Sequence, residues 1–212
     1  MLKVNEIFYS IQGESTMAGL PCIFIRLTHC NLRCSYCDTE YAFFEGTDFS
    51  VSEIISEVNK NGCNLVEITG GEPLLQKEVH VLMKELCDLG FQVMIETGGS
   101  MPIKEIDKRV KIIMDLKCPS SEMSDKNLYE NIISLKQADE IKFVIGNRED
   151  YDWSKDLIHK YSLTEKCIVL FSNVYSDLEP IHLAEWILTD KLKVRFQIQM
   201  HKYIWNPAKR GV

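Results

Sequence analysis

Short apolar stretches of strand length recur along the whole chain, and stretches with the period of an amphipathic helix separate them. The apolar stretches are nearly continuous, which is typical of parallel strands buried on both faces. We predict strands at residues 21–27, 65–69, 91–96, 110–116, 140–145, 167–171 and 193–199. This alternation limits the chain to an open doubly wound sheet or to a barrel of parallel strands with helices outside.

The predicted helices lie between these strands. Residues 51–59 follow Ser50, which together with Glu53 forms a capping-box pattern, and residues 75–89 end before Gly90. Weaker helical patterns cover residues 103–108, 128–136, 152–161 and 178–189.

The number of strand–helix units decides between the two architectures. About six units are too few for a closed eight-unit barrel, which typically needs about 250 residues. We therefore predict an α/β fold, a partial (β/α)6-type parallel barrel. The 212 residues contain no repeat or flexible linker, so we expect residues 1–212 to form a single domain.

The composition excludes several classes of partner. The net charge of −7 gives no electrostatic reason to expect a nucleic acid or a membrane surface, because both attract basic patches. The first residues lack the apolar run of a signal peptide, and no stretch approaches the roughly 18 apolar residues that span a bilayer. We expect a cytoplasmic protein that acts on a small molecule.

Three of the eight cysteines, Cys30, Cys34 and Cys37, lie within eight residues directly after the first predicted strand. One loop with this spacing can bind three irons of a 4Fe-4S cluster and leave the fourth iron open. An open iron can chelate S-adenosylmethionine, and the spacing resembles that of the radical S-adenosylmethionine superfamily. The alternative is a structural zinc site with His29 or Cys22 as its fourth ligand.

Glycine-rich and polar motifs follow the next strands of the predicted barrel. They are Thr69-Gly70-Gly71-Glu72-Pro73, Glu96-Thr97-Gly98-Gly99 and Asp115-Leu116-Lys117. Parallel α/β folds bind ligands at the carboxyl ends of their strands, and paired glycines permit a close approach of backbone to ligand. The first motif resembles the superfamily's Gly-Gly-Glu motif, which contacts the methionyl amino group of the cofactor.

A narrower resemblance covers both ends of the chain. The segments EIFYSIQGE (residues 6–14), GLP (19–21), FIRL (24–27) and CNLRCSYCDT (30–39) resemble the N-terminal part of the 7-carboxy-7-deazaguanine synthases. The segment QMHKY (199–203) and Pro207 resemble the end of that family.

The resemblance implies an enzyme of queuosine and deazapurine biosynthesis. Its members convert 6-carboxy-5,6,7,8-tetrahydropterin to 7-carboxy-7-deazaguanine and ammonia, using a 4Fe-4S cluster, S-adenosylmethionine and Mg²⁺. A deoxyadenosyl radical abstracts the hydrogen at C6 of the pterin. The resemblance also implies a reducing electron donor such as a flavodoxin, and a homodimer.

The resemblance also implies the roles of individual residues. The cluster ligands are Cys30, Cys34 and Cys37, and Thr39 is a ligand of Mg²⁺. The pterin is bound by Ile11, Gln12, Gly13, Thr69 and Pro207, and its carboxylate by Arg26, whose planar guanidinium suits that group. S-adenosylmethionine is bound by Tyr36, Cys37, Asp38, Gly71, Asp115, Leu116, Lys117, Ser172 and Tyr175.

Some residues depart from the family pattern, and two other interpretations stay open. Ser15 and His29 stand where the family often has glycine, and Asp115-Leu116-Lys117 replaces a common Ser-Pro-Lys. A glycyl-radical activase has the same cysteine spacing but acts on a protein glycine. A non-enzymatic iron–sulfur or zinc module would have no affinity for S-adenosylmethionine.

Overall fold

Nine strands form one sheet in the computed structural model, which describes residues 1–175, 177–207 and 209–212. The strands are β1 (Leu2–Ile11), β2 (Pro21–Leu27), β3 (Thr47–Phe49), β4 (Leu65–Gly70), β5 (Gln92–Thr97), β6 (Lys111–Asp115), β7 (Glu140–Ile145), β8 (Ile168–Asn173) and β9 (Arg195–Gln197).

The sheet has the order β3-β1-β2-β4-β5-β6-β7-β8-β9 and does not close. The seven strands β2, β4, β5, β6, β7, β8 and β9 pair in parallel, each with the next in this order. Strand β1 pairs antiparallel with both β2 and β3. All seven strands predicted from the sequence are present in this parallel part. The prediction of a partial parallel barrel is confirmed.

α-Helices connect β2 to β4, β4 to β5, β7 to β8 and β8 to β9, and a last α-helix follows β9. They are α1 (Val51–Asn59), α2 (Val79–Asp88), α3 (Arg148–Tyr161), α4 (Leu163–Lys166), α5 (Pro180–Asp190) and α6 (His201–Ile204). The capping box of α1 is formed, because Ser50 Oγ accepts from the Glu53 amide and the Glu53 carboxylate accepts from the Ser50 amide. None of the helices in the described ranges has the length and apolar character needed to cross a membrane.

Two helix predictions were wrong. Residues 103–108 form turns and residues 129–134 form a 3-10 helix. The predicted stretch 103–108 is short, and a helix of one or two turns has too few hydrogen bonds to offset the cost of nucleation.

Strand β1 was missed by the sequence analysis for a local reason. Its register against β2 shifts between Val4 and Glu6, so the alternation of buried and exposed residues changes phase within the strand. A period of two residues is the main signal of a half-buried strand, and the shift removes it. The hairpin of β1 and β2 carries the Gln-Gly-Glu motif in its connection, at the amino end of the parallel strands.

Apolar side chains pack on both sides of the sheet. The larger core lies between the sheet and the surrounding helices and includes the fully buried Ile25, Ile68 and Phe143. A smaller cluster lies on the other face of the strands, inside the barrel, and consists of Cys22, Phe24, Leu65, Met94 and Ile113. The inner face therefore has an apolar layer.

Ser15 and His29, which depart from the family's glycines, both have left-handed backbone. Their φ angles are 65° and 78°. A side chain with a Cβ is strained in this region, whereas glycine is not. Ser15 recovers some of this cost because its Oγ accepts a hydrogen bond from the Met17 amide at 3.0 Å. The exposed side chain of His29 makes no hydrogen bond among the described residues.

We expect His29→Gly to stabilise the protein by about 1 kcal/mol, because it relieves a left-handed residue without removing a contact. The measurement is the free energy of urea unfolding. His29→Ala, which keeps the Cβ, serves as the control and should give no gain. Equal stabilisation by both substitutions would show that the histidine ring, and not the backbone, is the source of the strain.

Candidate active site

A cavity of about 960 Å³ opens at the carboxyl ends of the parallel strands. Parallel α/β folds bind ligands at this edge. All but two of the residues that the sequence predicts for cofactor, metal and substrate lie in its wall. Those in the wall are Ile11, Gln12, Gly13, Arg26, Cys30, Cys34, Tyr36, Cys37, Asp38, Thr39, Thr69, Gly71, Asp115, Lys117, Tyr175 and Pro207.

The two exceptions are Leu116 and Ser172. The Leu116 side chain is buried in the larger core, so only its backbone is available to a ligand. Ser172 is 1% exposed and lies behind the cavity wall, although its Oγ has no hydrogen-bonding partner in the described structure. Neither side chain contacts the cavity in this conformation.

The cysteine loop begins where β2 ends and is held against the turn that follows β4. The Glu72 amide donates to the His29 carbonyl at 2.8 Å, and the Gly71 amide donates to the Leu27 carbonyl at 3.1 Å. A Cβ on Gly71 would lie 2.2 Å from the His29 carbonyl oxygen. Glycine is therefore required at this position so that the cysteine loop can pack against the turn.

The other side of the cysteine loop is also fixed. The Ser35 amide donates to the Ser121 carbonyl at 3.1 Å, and Ser35 Oγ donates to the Ser120 carbonyl at 2.6 Å. Arg33 donates to the Cys30 carbonyl at 2.8 Å while its guanidinium lies 4.2 Å above the Phe43 ring. The loop is thus positioned by both of its flanking turns.

The donor set of this loop fits an iron–sulfur cluster. Cys30, Cys34 and Cys37 are free thiols that all line the cavity. Among the described residues, no three His, Cys, Asp or Glu side chains converge closely enough to hold a single metal ion. A cubane cluster does not require such convergence on one point, because each thiolate binds a separate iron. Burial raises the pKa of all three thiols.

Polar groups beside the cysteines are available for a cofactor. The Tyr36 hydroxyl is buried without a hydrogen-bonding partner in the described structure, and burial raises its pKa. Asp115 Oδ1 makes no hydrogen bond in the described structure but lies 3.5 Å from Lys142 Nζ, while Oδ2 pairs with Lys117 Nζ at 2.6 Å. Buried polar atoms are normally satisfied, so unsatisfied atoms at a cavity edge fit a polar ligand.

Arg26 has the geometry expected of a carboxylate-binding residue. Its Nε donates to Glu6 Oε1 at 2.8 Å, and the Tyr41 hydroxyl donates to the same oxygen at 3.0 Å. The two terminal nitrogens of Arg26 have no hydrogen-bonding partner among the described residues. Glu6 and Tyr41 therefore hold one edge of the guanidinium and leave the other edge free for a bidentate carboxylate.

Gln12 lies in the cavity wall, and its amide already makes one hydrogen bond to the protein at each end. Its Nε2 donates to Glu67 Oε2 and its Oε1 accepts from the Glu14 amide at 3.0 Å. The family resemblance implies that Gln12 binds the pterin. In this conformation the amide uses one N–H and one lone pair within the protein, so its second N–H and second lone pair stay available to a substrate.

A buried ion cluster forms the floor of the cavity. Lys142 Nζ lies 2.9 Å from Glu14 Oε2 and 3.5 Å from Asp115 Oδ1, and it also pairs with Glu96. We call these four residues the Lys142 cluster. Burial lowers the pKa of Lys142 but the three carboxylates outweigh it, and the net shift is strongly upward. Despite burial, the lysines lower the pKa of Glu14 and Asp115.

The C-terminal part of the described chain closes one side of the cavity. The Met200 amide donates to the Gly13 carbonyl at 3.0 Å, and a Cβ on Gly13 would lie 2.4 Å from His201 Nδ1. Lys202 Nζ pairs with Asp38 at 2.7 Å. The Gln-Gly-Glu motif and the residues around His201 are therefore parts of one wall.

Two cavity residues, Glu67 and Lys142, were missed by the sequence analysis. Each is a charged residue inside an otherwise apolar strand, and each is about 4% exposed. A charge within such a stretch faces either the core or a polar cavity, and burying it unpaired is costly. That pattern could have identified both residues as lining a ligand site.

The partial parallel barrel and its three-cysteine loop define the class of protein, a radical S-adenosylmethionine enzyme with a 4Fe-4S cluster. The family model described as the Radical SAM superfamily matches residues 24–164. The 7-carboxy-7-deazaguanine synthase of Chlorobaculum tepidum is 46% identical over 214 residues, which cover 100% of this chain and 97% of that protein. The chain belongs to the 7-carboxy-7-deazaguanine synthase family.

Solved structures show the same fold. The crystal structure of QueE from Escherichia coli has a TM-score of 0.77 at 22% identity and covers 94% of each chain. Streptococcus suis SuiB bound to S-adenosylmethionine has a TM-score of 0.56 at 16% identity, covering 81% of this chain and 45% of that one. At these identities the likeness concerns the fold alone.

Proposed function

We propose that this chain converts 6-carboxy-5,6,7,8-tetrahydropterin to 7-carboxy-7-deazaguanine with release of ammonia. The observation that carries the proposal is one cavity that contains both the three-cysteine loop and the free edge of Arg26. A curated relative that is 42% identical over the full length of both chains, from Koribacter versatilis, has the same name as the Chlorobaculum protein.

The residues of this chain position the reactants. When bound, the cluster and S-adenosylmethionine supply the radical that abstracts hydrogen from the substrate. Cys30, Cys34 and Cys37 hold the cluster, while Tyr36 and Asp115 offer hydrogen bonds to the cofactor. The SuiB structure was determined with S-adenosylmethionine bound to that protein, which supports a cofactor site in the same fold.

The opposite wall binds the pterin in this proposal. Arg26 pairs with its carboxylate, and the backbone around Gly13 and the Thr69 hydroxyl contact its ring. Thr39 Oγ1 donates to Asp38 Oδ1 at 2.8 Å, so the lone pairs of its oxygen stay available to Mg²⁺. Pro207 completes the pocket on this side.

Further parts of the proposal concern the protein as a whole. We propose one domain, since a single sheet runs through the described residues. A cytoplasmic location follows from the composition, whereas a flavodoxin as reductant and a homodimer follow from the family resemblance.

The test of the function is anaerobic incubation of the reconstituted protein with reductant, S-adenosylmethionine, Mg²⁺ and 6-carboxytetrahydropterin. We expect 7-carboxy-7-deazaguanine, detected by mass, together with ammonia. Cleavage of S-adenosylmethionine without this product would agree with the superfamily assignment but contradict the proposed substrate. A glycyl-radical activase would give the same negative result on the pterin.

The role of Arg26 gives a separate prediction. We expect Arg26→Lys to raise the KM for the pterin about tenfold or more, because an ammonium cannot replace a bidentate guanidinium. The kcat should change less, since Arg26 binds the substrate and does not react. Arg148→Lys, on the exposed face of α3, is the control. An unchanged KM in Arg26→Lys would contradict the assignment.

A further inference from the structure

Glu67 is a buried carboxyl group on the floor of the substrate cavity. It precedes Thr69 by two residues on β4, so both side chains lie on the inner face of the barrel. Glu67 is 4% exposed and lines the cavity one layer deeper than Thr69. The mechanism described above gives no role to this residue.

The side chain of Gln12 holds Glu67 in place. Gln12 Nε2 donates to Glu67 Oε2, and Gln12 Oε1 is fixed by the Glu14 amide at 3.0 Å. Glu67 Oε1 has no hydrogen-bonding partner among the described residues. The amide of Gln12 therefore orients a carboxyl group whose second oxygen is left for the contents of the cavity.

The charges around Glu67 favour its neutral form. The nearby cation, Lys142, already pairs with Glu14, Glu96 and Asp115, whereas the described structure contains no ion pair to Glu67. Glu14 and Glu96 add two negative charges close to it. Burial and the Glu96 carboxylate raise the pKa of Glu67 well above its ordinary value, which agrees with this geometry.

We propose that Glu67 binds the substrate as a neutral carboxyl group and donates a hydrogen bond from Oε1 to an acceptor atom of the pterin ring. This inference rests on the proposed function. Oε2 accepts from Gln12, so the proton resides on Oε1, the oxygen without a protein partner. Gln12 is then a positioning residue for Glu67.

Two substitutions distinguish the neutral form from the ionised one. Glu67→Gln keeps an acceptor for Gln12 and a donor for the ligand, whereas Glu67→Leu removes both. The measurement is the dissociation constant of 6-carboxytetrahydropterin on the cluster-loaded protein with S-adenosylmethionine, Mg²⁺ and no reductant, by anaerobic titration. We expect Glu67→Gln to bind within about twofold of the wild type and Glu67→Leu to bind about tenfold more weakly.

Glu140→Gln is the matched control. Glu140 is equally buried inside the barrel, but it pairs with Lys111 at 2.8 Å and does not line the cavity. Its substitution should leave the dissociation constant unchanged. Urea unfolding of all three variants establishes that each is folded.

Other outcomes overturn the inference. If Glu67→Gln binds as weakly as Glu67→Leu, the functional form is an ionised carboxylate that accepts hydrogen bonds. If both bind like the wild type, Glu67 does not contact the pterin. Product formation by the reduced wild type in the same preparation tests the proposed function separately, and its absence would reject that function and this contact together.

Discussion

Replacement of Cys34 by alanine is expected to remove the iron–sulfur cluster and to reduce product formation to the background. The three cysteines are the only protein ligands that the loop offers, and a cubane held by two of them is labile. The loop is positioned by backbone hydrogen bonds on both sides, so the fold should survive the change. The measurements are iron and sulfide content, cleavage of S-adenosylmethionine and formation of 7-carboxy-7-deazaguanine.

Cys87→Ala is the matched control for this prediction. Cys87 lies on α2, away from the cavity, and its removal should leave both iron content and turnover near the wild-type level. A full complement of iron in Cys34→Ala would refute the ligand assignment. Stoichiometric zinc in place of iron in the wild type would instead favour the structural zinc site.

Replacement of Lys142 by methionine is expected to destabilise the protein by about 3–5 kcal/mol. The substitution leaves three carboxylates, Glu14, Glu96 and Asp115, buried without their common cation. Methionine has a similar length and no charge, so packing changes little. The measurement is the free energy of urea unfolding at neutral pH. Substrate turnover should also fall, because the cluster forms the cavity floor.

The exposed pair of Lys155 and Asp190 provides the comparison. These side chains are each 26% exposed and lie 2.7 Å apart, and Lys155→Met should cost less than about 1 kcal/mol. A loss below 1 kcal/mol in Lys142→Met would show that the three carboxylates find other partners or take up protons at little cost.

Acid should reduce the difference between Lys142→Met and the wild type. In the wild type the folded pKa values of Glu14 and Asp115 are lowered. Their contribution to stability is therefore present above the unfolded pKa values of about 4 and is lost as the pH falls through the folded ones. The two unfolding free energies should converge as the pH falls below about 4.

The strands of the barrel could be predicted because their signal is local. Residues 140–145 are mostly apolar and lie between polar segments, and both ends of β7 agree with the prediction. Strand β1 could not be predicted in the same way, because a register shift removes its alternation. Local sequence patterns also failed to predict the 3-10 helix at residues 129–134 and the turns at 103–108. The surrounding structure decides the conformation of such short segments.

In the candidate site, too, residues within one short motif could be predicted, whereas contacts between distant segments could not. Cys30, Cys34 and Cys37 are recognisable because their spacing within one loop is itself the chemical signal. Gln12 lines the cavity, but the two hydrogen-bonding partners of its amide were not foreseeable from the sequence. Glu67 lies 55 residues away from it in the sequence, and nothing in either segment indicates that they meet.

The sequence by itself determined the class of fold, the order of its parallel strands along the chain and the loop that binds a cluster. These properties depend on the period of apolar residues and on the spacing of thiols, which short segments carry. Only the tertiary structure decided which charges share the cavity floor, since Lys142 pairs with a carboxylate 128 residues away. Inside the barrel each charge is removed from water, so it must be stabilised by protein groups of opposite charge. The attraction within such a pair is stronger there, because the effective dielectric constant is lower than in water.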